Sequence, residues 1–217
     1  VTNHDPFMTK FVPKIQKCFS VYTFYFPFEC SGLAEASKDL SVFIVELSSL
    51  YEEVFLVGHS KCGLCLYNSA QYCEAENITL ITVSTPFRGT FIADKEAVEQ
   101  KLRFFPLKKI YNIIFSNHNV DQDLIPDSVF LKSIQGQHIR YIHHINFVSS
   151  LKAISKCKTF TDFILYLVDK LLGVSGDGIV PLSSQKIYGV IPVYLSYSHA
   201  TSLDLALKTI NNEETNN

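Results

Sequence analysis

One segment of this chain predicts its architecture: Phe55-Leu56-Val57-Gly58-His59-Ser60-Lys61-Cys62-Gly63. An apolar run ends at Gly58, a serine follows two residues later, and a helix-compatible stretch of small residues begins behind it. This pattern predicts a strand, a sharp turn and a helix, with Ser60 at the tip of the turn. The amino end of the helix then points toward whatever reacts there. Because a serine is a poor nucleophile unless its surroundings activate it, the activating groups must come from elsewhere in the chain.

The composition indicates one large folded domain. The chain has 217 residues, of which 47% are hydrophobic and 13% aromatic, enough for one substantial core but not comfortably for two. We therefore expect a single domain over residues 1–217. The net charge is −2 and no basic stripe is present, so nucleic acid is not an expected partner.

The six cysteines predict neither a disulfide framework nor a metal site. They are scattered through a domain too large to need covalent cross-links, so free thiols are expected. Cys62 and Cys65 form a Cys-x-x-Cys pair, but no second pair occurs at zinc-ligand spacing. The sequence predicts no metal and no cofactor.

Neither a signal peptide nor a membrane span is visible. The amino-terminal residues lack a basic segment followed by an apolar core and a cleavage site, and no apolar stretch reaches the roughly 18 residues of a transmembrane helix. Residues 1–6 read like the interior of a loop, so we expect an upstream strand or two to be missing. The oligomeric state stays open, and so does the compartment, with the scattered cysteines favouring the cytoplasm slightly.

Helical and strand patterns alternate along the chain. Short β-branched or continuously apolar runs predict strands at residues 21–26, 54–57, 78–83, 140–148 and 191–195. Amphipathic patterns predict helices at residues 33–50, 64–73, 160–172 and 203–210, followed by a polar tail at 211–217. This alternation predicts an α/β fold with a mostly parallel central sheet flanked by helices.

Among the seven histidines, His199 is the best candidate for a general base. It follows the last predicted strand and precedes the closing helix, and the carboxyl ends of strands are where sites form in an open α/β sheet. His59 adjoins Ser60, but at such a turn we expect its side chain to point elsewhere.

The candidate for the orienting acid is Asp177, in the segment Gly176-Asp177-Gly178-Ile179-Val180-Pro181. Two glycines around an aspartate make a tight turn, in which the carboxylate can accept backbone hydrogen bonds and stay ionised beside an imidazole. In isolation an ordinary Asp-Gly turn would be the better interpretation. Here the aspartate follows Ser60 and precedes His199, which gives the order Ser, Asp, His.

These features resemble the lipase and esterase branch of the α/β-hydrolase fold. Residues 58–63 are similar to its Gly-His-Ser-x-Gly-Gly nucleophile elbow, and residues 83–90 to its Ser/Thr-Pro-His-x-Gly-Thr segment. Residues 123–131 are similar to its Asp-Leu-x-Pro-x-Ser-x-Phe-Leu stretch, and residues 176–181 to its Gly-Asp-Gly-x-Val-Pro acid loop. The resemblance runs from about residue 54 to residue 205 and implies the α/β-hydrolase fold, with a helical cap or lid.

Two departures from the family pattern concern the reactive serine. Cys62 stands where the elbow normally has glycine, and a thiol there is expected to need extra room, or a slightly altered helix entry, where strand and helix pass close together. Because cysteine is small, we interpret the elbow as intact. The His-Gly loop that usually gives half of the oxyanion hole is absent from the sequence. If the chain were cut just upstream, the region of Val1 or Thr2 would be what remains of that loop.

The resemblance implies a serine hydrolase that cleaves a small-molecule acyl ester or lipid. Ser60 would attack the carbonyl, His199 would transfer the proton, and Asp177 would orient the imidazole. The backbone N–H of Lys61 would donate one oxyanion hydrogen bond. Thioesterases, phospholipases and acyltransferases use the same triad and stay open as alternatives. The rival from another class is a catalytically weak or inactive hydrolase-fold protein used for binding or scaffolding.

A cap or lid is expected at residues 91–135, where such enzymes often insert one. The Phe, Ile and Leu residues between 104 and 115 fit an acyl pocket and ordinary helix packing equally well. The helix predicted at 160–172 is a second candidate for a cap, or for transient contact with a membrane surface.

Overall fold

A computed structural model describes residues 12–13, 15–16, 18–24, 32–94, 100, 122–135, 137, 139, 142–153, 155, 157, 159–171 and 173–214. The chain divides into two compact units, Val1–Cys30 and Ser31–Asn217. The described part of the first unit contains a helical turn, in which the Val12 carbonyl accepts the N–H of Gln16 at 2.9 Å. Residues 21–24, predicted as part of a strand, form none in the described part of this unit.

The second unit is built on a parallel sheet. In its described residues the strands are β1 (Val54–His59), β2 (Ile78–Val83), β3 (His143–Ser149) and β4 (Pro192–Leu195), and their order in space follows their order along the chain. Val54 is paired with Ile78, and Thr79 with His143. Because every ladder is parallel, the carboxyl ends of the strands meet at one edge of the sheet. The prediction of an α/β fold with a parallel sheet is confirmed.

Helices flank this sheet. They are α1 (Leu33–Leu50), α2 (Lys61–Ala70), α3 (Val129–Ile134), α4 (Phe160–Leu171) and α5 (His199–Glu214), with 3₁₀ turns at Phe91–Ala93 and Gln122–Leu124. Ser69 on α2 donates a hydrogen bond to the Ser37 carbonyl of α1 at 2.8 Å, so these two helices pack together. Within the described ranges, no helix combines the length and apolarity needed to cross a bilayer.

The first helix is amphipathic, as its sequence predicts. Its buried apolar residues recur every three or four positions and face the core: Leu33, Ala36, Leu40, Ile44 and Leu47. Its amino end is capped from a distant part of the chain, because the N–H of Leu33 donates to Oδ2 of Asp123 at 2.7 Å. A carboxylate at this end also complements the helix dipole. The segment 123–131 therefore has a structural task, which is to hold α1.

Several element boundaries differ from the predictions. α2 begins at Lys61 and not at residue 64, because the turn closes at once, with the Gly63 N–H donating to the Ser60 carbonyl at 3.0 Å. α5 begins at His199 and not at residue 203. It also continues to Glu214, so residues 211–214 of the predicted polar tail are helical. Once a helix has formed, each added residue gains a backbone hydrogen bond, and polar residues extend it readily.

Candidate active site

Ser60 lies at the tip of a strained turn between β1 and α2. Its backbone angles are φ 54° and ψ −128°, a region that residues with a side chain rarely adopt. Two hydrogen bonds hold this conformation: the Ser60 N–H donates to the Val83 carbonyl at 2.9 Å, and its own carbonyl accepts from Gly63. The hydroxyl forms no cap on the helix that follows. The turn therefore has the sharp strand-to-helix geometry predicted for it.

The close approach between β1 and α2 falls at Gly63, one residue beyond the position expected. A Cβ atom on Gly58 would lie 2.7 Å from the Cα of Gly63, and a Cβ on Gly63 would lie 1.9 Å from Oγ1 of Thr85. Cys62 is exposed on the outer side of the helix. The expectation that the Cys62 thiol needs extra room in the turn is therefore wrong, because the tight contact involves a glycine that the sequence retains.

Asp177 and His199 are brought into direct contact. Nδ1 of His199 lies 2.8 Å from Oδ2 of Asp177, and both side chains are buried. The backbone N–H of His199 also donates to the Asp177 carbonyl at 3.0 Å. The acid loop is thus joined twice to the first residue of α5. With a proton on Nδ1, the imidazole keeps Nε2 available as a proton acceptor.

The environment of Asp177 keeps its carboxylate ionised. Burial alone would raise its pKa, but the interaction with His199 and the N–H groups of Val180 and Ile179 outweigh this, and the pKa lies below its ordinary value. Oδ1 accepts the Val180 N–H at 2.8 Å and the Ile179 N–H at 3.1 Å. These bonds require the tight loop, in which Gly178 adopts φ 95°.

Two further donors to Asp177 were not identified from the sequence. Ser149, at the carboxyl end of β3, donates through Oγ to Oδ2 at 3.0 Å. The fully buried Gln185 donates to the same oxygen at 3.3 Å and to the Val180 carbonyl at 3.0 Å. Ser149 directly follows the predicted strand 140–148, and this position at the carboxyl end of a strand could have indicated a site residue. Gln185 carries no comparable signal, because nothing in its neighbourhood predicts a buried amide.

The side chain of His59 lies against His199. Its ring centroid is 4.5 Å from that of His199, and its Nε2 is 3.0 Å from the His199 carbonyl oxygen. The imidazole therefore hydrogen-bonds to the first turn of α5 and not to Ser60, because the end of β1 lies beside that turn. Burial, together with a smaller effect of the neighbouring His199, lowers the pKa of His59 to about 3, so this imidazole is neutral at pH 7.

Ser60 is linked to His199 only through the intervening His59 in the described part of the chain. Ser60 adjoins His59, whose ring contacts the ring of His199. In the described part of the chain, no hydrogen bond joins the Ser60 hydroxyl to the His199 imidazole. Such bonds are often long or absent in proteins without bound substrate and form as the complex forms.

A second buried carboxylate lies behind the acid loop. Asp169, on α4, is 4% exposed, and its Oδ2 accepts the N–H of Gly178 at 3.0 Å. Burial, and to a smaller extent the charge of Asp177, raise its pKa to about 7 against the opposing effect of the Gly178 N–H. The sequence marked Asp169 only as a charged residue on an amphipathic helix.

The remaining candidate positions are only partly described. Lys61 is the first residue of α2, so its backbone N–H belongs to the amino end of the helix next to Ser60. Val1 and Thr2 lie outside the described residues, and so do residues 95–99 and 101–121 of the predicted lid. Among the residues that are described, no group of three or more His, Cys, Asp or Glu side chains could hold a metal ion.

No protein-family model matches the sequence, and no curated protein does. Among solved structures, the chain is similar to the mature form of the lipase BlEst2 from Bacillus licheniformis, with a TM-score of 0.61 and 17% identity over 83% of this chain and 74% of that one. It is also similar to the propeptide form of that lipase, with a TM-score of 0.55 and 16% identity over 79% of this chain and 38% of that one.

The fold is lipase-like. In this lipase-like fold, the turn at Ser60 directly follows β1 and α5 begins after β4. The loop at Asp177 reaches the same edge, because Asp177 accepts a hydrogen bond from Ser149 at the end of β3. The carboxyl edge of a parallel sheet is the usual place for a site in such folds.

Proposed function

We propose that this chain is a serine hydrolase that cleaves acyl esters, with Ser60 as nucleophile, His199 as base and Asp177 as orienting acid. The observation that supports this best is the buried Asp177–His199 hydrogen bond of 2.8 Å. The ring of His199 also contacts the ring of His59, which adjoins Ser60 in the strained turn. The lipase-like fold agrees with the proposal.

The chemistry divides ester hydrolysis into two transfers of the acyl group. The Ser60 oxygen bonds to the carbonyl carbon while its proton moves to Nε2 of His199. The tetrahedral intermediate collapses, and the departing alcohol takes that proton. Water then attacks the acyl-enzyme, giving a proton to His199, and the proton returns to Ser60 as the carboxylic acid leaves. The ionised Asp177 stabilises the imidazolium that forms in each transfer.

The developing oxyanion needs preorganised donors. The backbone N–H of Lys61 at the amino end of α2 is the first donor in this proposal, assisted by the helix dipole. The second would come from the region of Val1 and Thr2 or from residues upstream. Losing one donor typically lowers turnover by about 10²- to 10³-fold, so a chain without the second donor would be slow with a complete triad.

The substrate in this proposal is a small acyl ester or a lipid. The domain would extend over residues 1–217, with a cap or lid at 91–135 above the site. The amphipathic α4, whose Phe160 is 75% exposed, would contact a membrane surface transiently. An acyltransferase or thioesterase would use the same residues. A series of p-nitrophenyl esters of increasing chain length, set beside matched thioesters, separates these activities.

The direct test is labelling of the full chain with a fluorophosphonate probe, which reacts with activated serines. We expect the wild-type chain to be labelled, and Ser60→Ala to lose both labelling and ester hydrolysis. The control is Ser49→Ala, since Ser49 is an exposed serine on α1. Asp177→Asn should lower turnover by about 10³- to 10⁴-fold, as the loss of an orienting acid does elsewhere. Labelling that persists in Ser60→Ala would contradict the proposal.

One observation favours the rival function of a binding protein without catalysis. The Ser60 hydroxyl has no hydrogen bond to His199 within the described residues, so this serine is not engaged with its base. The same probe decides between the two functions. A folded full chain that stays unlabelled and hydrolyses no ester would be a binding protein on a lipase-like fold.

A further inference from the structure

Three buried serines join the candidate acid to the candidate base by a second route. Ser149 Oγ donates to Oδ2 of Asp177 at 3.0 Å and lies 2.5 Å from Oγ of Ser84. Ser84 Oγ lies 2.9 Å from Oγ of Ser202, which donates to the carbonyl of His199 at 2.9 Å. All three serines are fully buried. With the direct Asp177–His199 bond they close a ring, which we call the serine ring.

Ser84 is the central member of the serine ring. It directly follows β2, and its N–H donates to the Phe147 carbonyl of β3 at 2.9 Å. Through its hydroxyl it touches Ser149 at the end of β3 and Ser202 on α5. Its single hydroxyl hydrogen is donated to Ser202, while Ser149, whose own hydrogen goes to Asp177, lies in close contact with the Ser84 oxygen. Ser84 therefore connects the strand beside the acid to the helix that carries the base.

The backbone of Ser84 indicates that its hydroxyl is needed. Its φ is +49°, a left-handed conformation that glycine adopts freely and that is strained for other residues. A glycine would meet the backbone requirement without this strain. Residues held in such conformations cluster at functional sites, where the side chain has a task that outweighs the strain.

We propose that Ser84 is a positioning residue for the acid–base pair. It donates a hydrogen bond to Ser202, so that the first turn of α5 keeps His199 in line with the Asp177 carboxylate. Its oxygen packs against Ser149, so that the Ser149 hydroxyl keeps pointing at Asp177. Because the ring is buried, water does not readily replace a missing hydroxyl. This inference rests on the proposed function of the Ser60 site.

The variants that test it are Ser84→Gly and Ser84→Ala. Both remove the hydroxyl, but Ser84→Gly also relieves the backbone strain, so its fold is not weakened at the backbone. The matched control is Ser69→Ala. Ser69 is equally buried, and its hydroxyl donates to the carbonyls of Ser37 and Cys65, in the contact between α1 and α2. Ser69→Ala therefore shows what the loss of a buried serine hydroxyl does when the serine lies outside the serine ring.

The first measurement follows the kinetics on a soluble ester. One lost hydrogen bond within a network corresponds to about a tenfold change in rate. We expect Ser84→Gly and Ser84→Ala to lower kcat about tenfold with KM within about twofold, while Ser69→Ala keeps the wild-type kcat. If Ser84 had a purely structural role, its variants would have a lower free energy of unfolding, but kcat would not fall while KM stays constant. A Ser84→Gly variant with wild-type kcat would overturn the proposal.

The second measurement does not depend on activity. The imidazole proton between His199 and Asp177 gives a downfield proton NMR signal, assigned by its loss in His199→Ala. We expect both Ser84 variants to shift or broaden this signal, and Ser69→Ala to leave it in place. An unmoved signal in both Ser84 variants would refute the positioning role. If the signal shifts but the chain shows no Ser60-dependent labelling, the positioning role of the serine ring is supported and the proposed function is contradicted.

Discussion

Replacing Asp169 by asparagine should make the chain more stable, and more so as the pH rises. The change keeps the shape of the side chain and an oxygen that can accept the Gly178 N–H, but it removes the buried charge. In the folded chain the pKa of Asp169 is raised from 3.8 to about 7 by burial and by the neighbouring Asp177. The folded chain therefore holds this proton more tightly than the unfolded chain does.

The sign and size of the effect follow from this difference. A raised pKa contributes stability that is fully present below about pH 4 and is lost as the pH rises through about 7. Each pKa unit corresponds to about 1.4 kcal/mol, so the change from 3.8 to about 7 amounts to about 4 kcal/mol. Relaxation of the protein around the buried charge reduces this contribution. We therefore expect the difference in unfolding free energy between variant and wild type to change by about 2–4 kcal/mol between pH 4 and pH 8.

The assay is urea unfolding of wild type and Asp169→Asn at a series of pH values from 4 to 8. The free energy of unfolding of the variant, minus that of wild type, should rise between pH 4 and about 7 and then level off. The Gly176 N–H also hydrogen-bonds to the Asp169 carboxylate. If the variant lost this hydrogen bond, the difference in unfolding free energy would be lower by the same amount at every pH. Ser49→Ala, an exposed change on α1 that removes no ionisable group, is the control and should give a flat difference. A flat or falling difference for Asp169→Asn would refute the argument.

The turn at Ser60 gives two further predictions, both tested by the free energy of unfolding. Gly63→Ala should lower it by about 1–3 kcal/mol, since the added Cβ would lie 1.9 Å from Oγ1 of Thr85. Cys62→Ala, at the exposed neighbouring position, should change it by less than about 0.5 kcal/mol. Equal effects at the two positions would contradict the assignment of the close contact. Ser60→Gly should raise the unfolding free energy by about 1 kcal/mol, because glycine adopts a φ of 54° without strain. An unchanged or lower value would argue against strain in this turn.

The sequence predicted the parts of the site that follow from local chemistry. The turn at Ser60 could be read from a strand pattern that ends at a glycine. The contact between Asp177 and His199 was expected from the glycines around Asp177, from the order Ser, Asp, His, and from the position of His199 after the last predicted strand. These features depend on short segments whose backbone is constrained by glycine. The α/β architecture was predictable for the same reason, because each strand and helix carries its own periodicity.

The rest could not be read from the sequence because it depends on packing between distant elements. Ser84 lies in a segment that the sequence singled out and Ser149 follows a predicted strand, but their contact with each other and with Ser202 depends on how the ends of β2, β3 and α5 pack. The contact between the rings of His59 and His199 depends on the same packing. Asp169 looked like a surface charge on an amphipathic helix, and only the packing of α4 against the acid loop buries it.

The cap on α1 has a consequence for the order in which the chain folds. The hydrogen bond from Leu33 to Asp123 spans 90 positions, and closing so long a loop is entropically costly and slow. During synthesis, α1 leaves the ribosome long before its capping carboxylate exists, so its first turn stays uncapped until the segment containing Asp123 has docked. The Leu33 amide is therefore a natural reporter in hydrogen exchange for that late docking step.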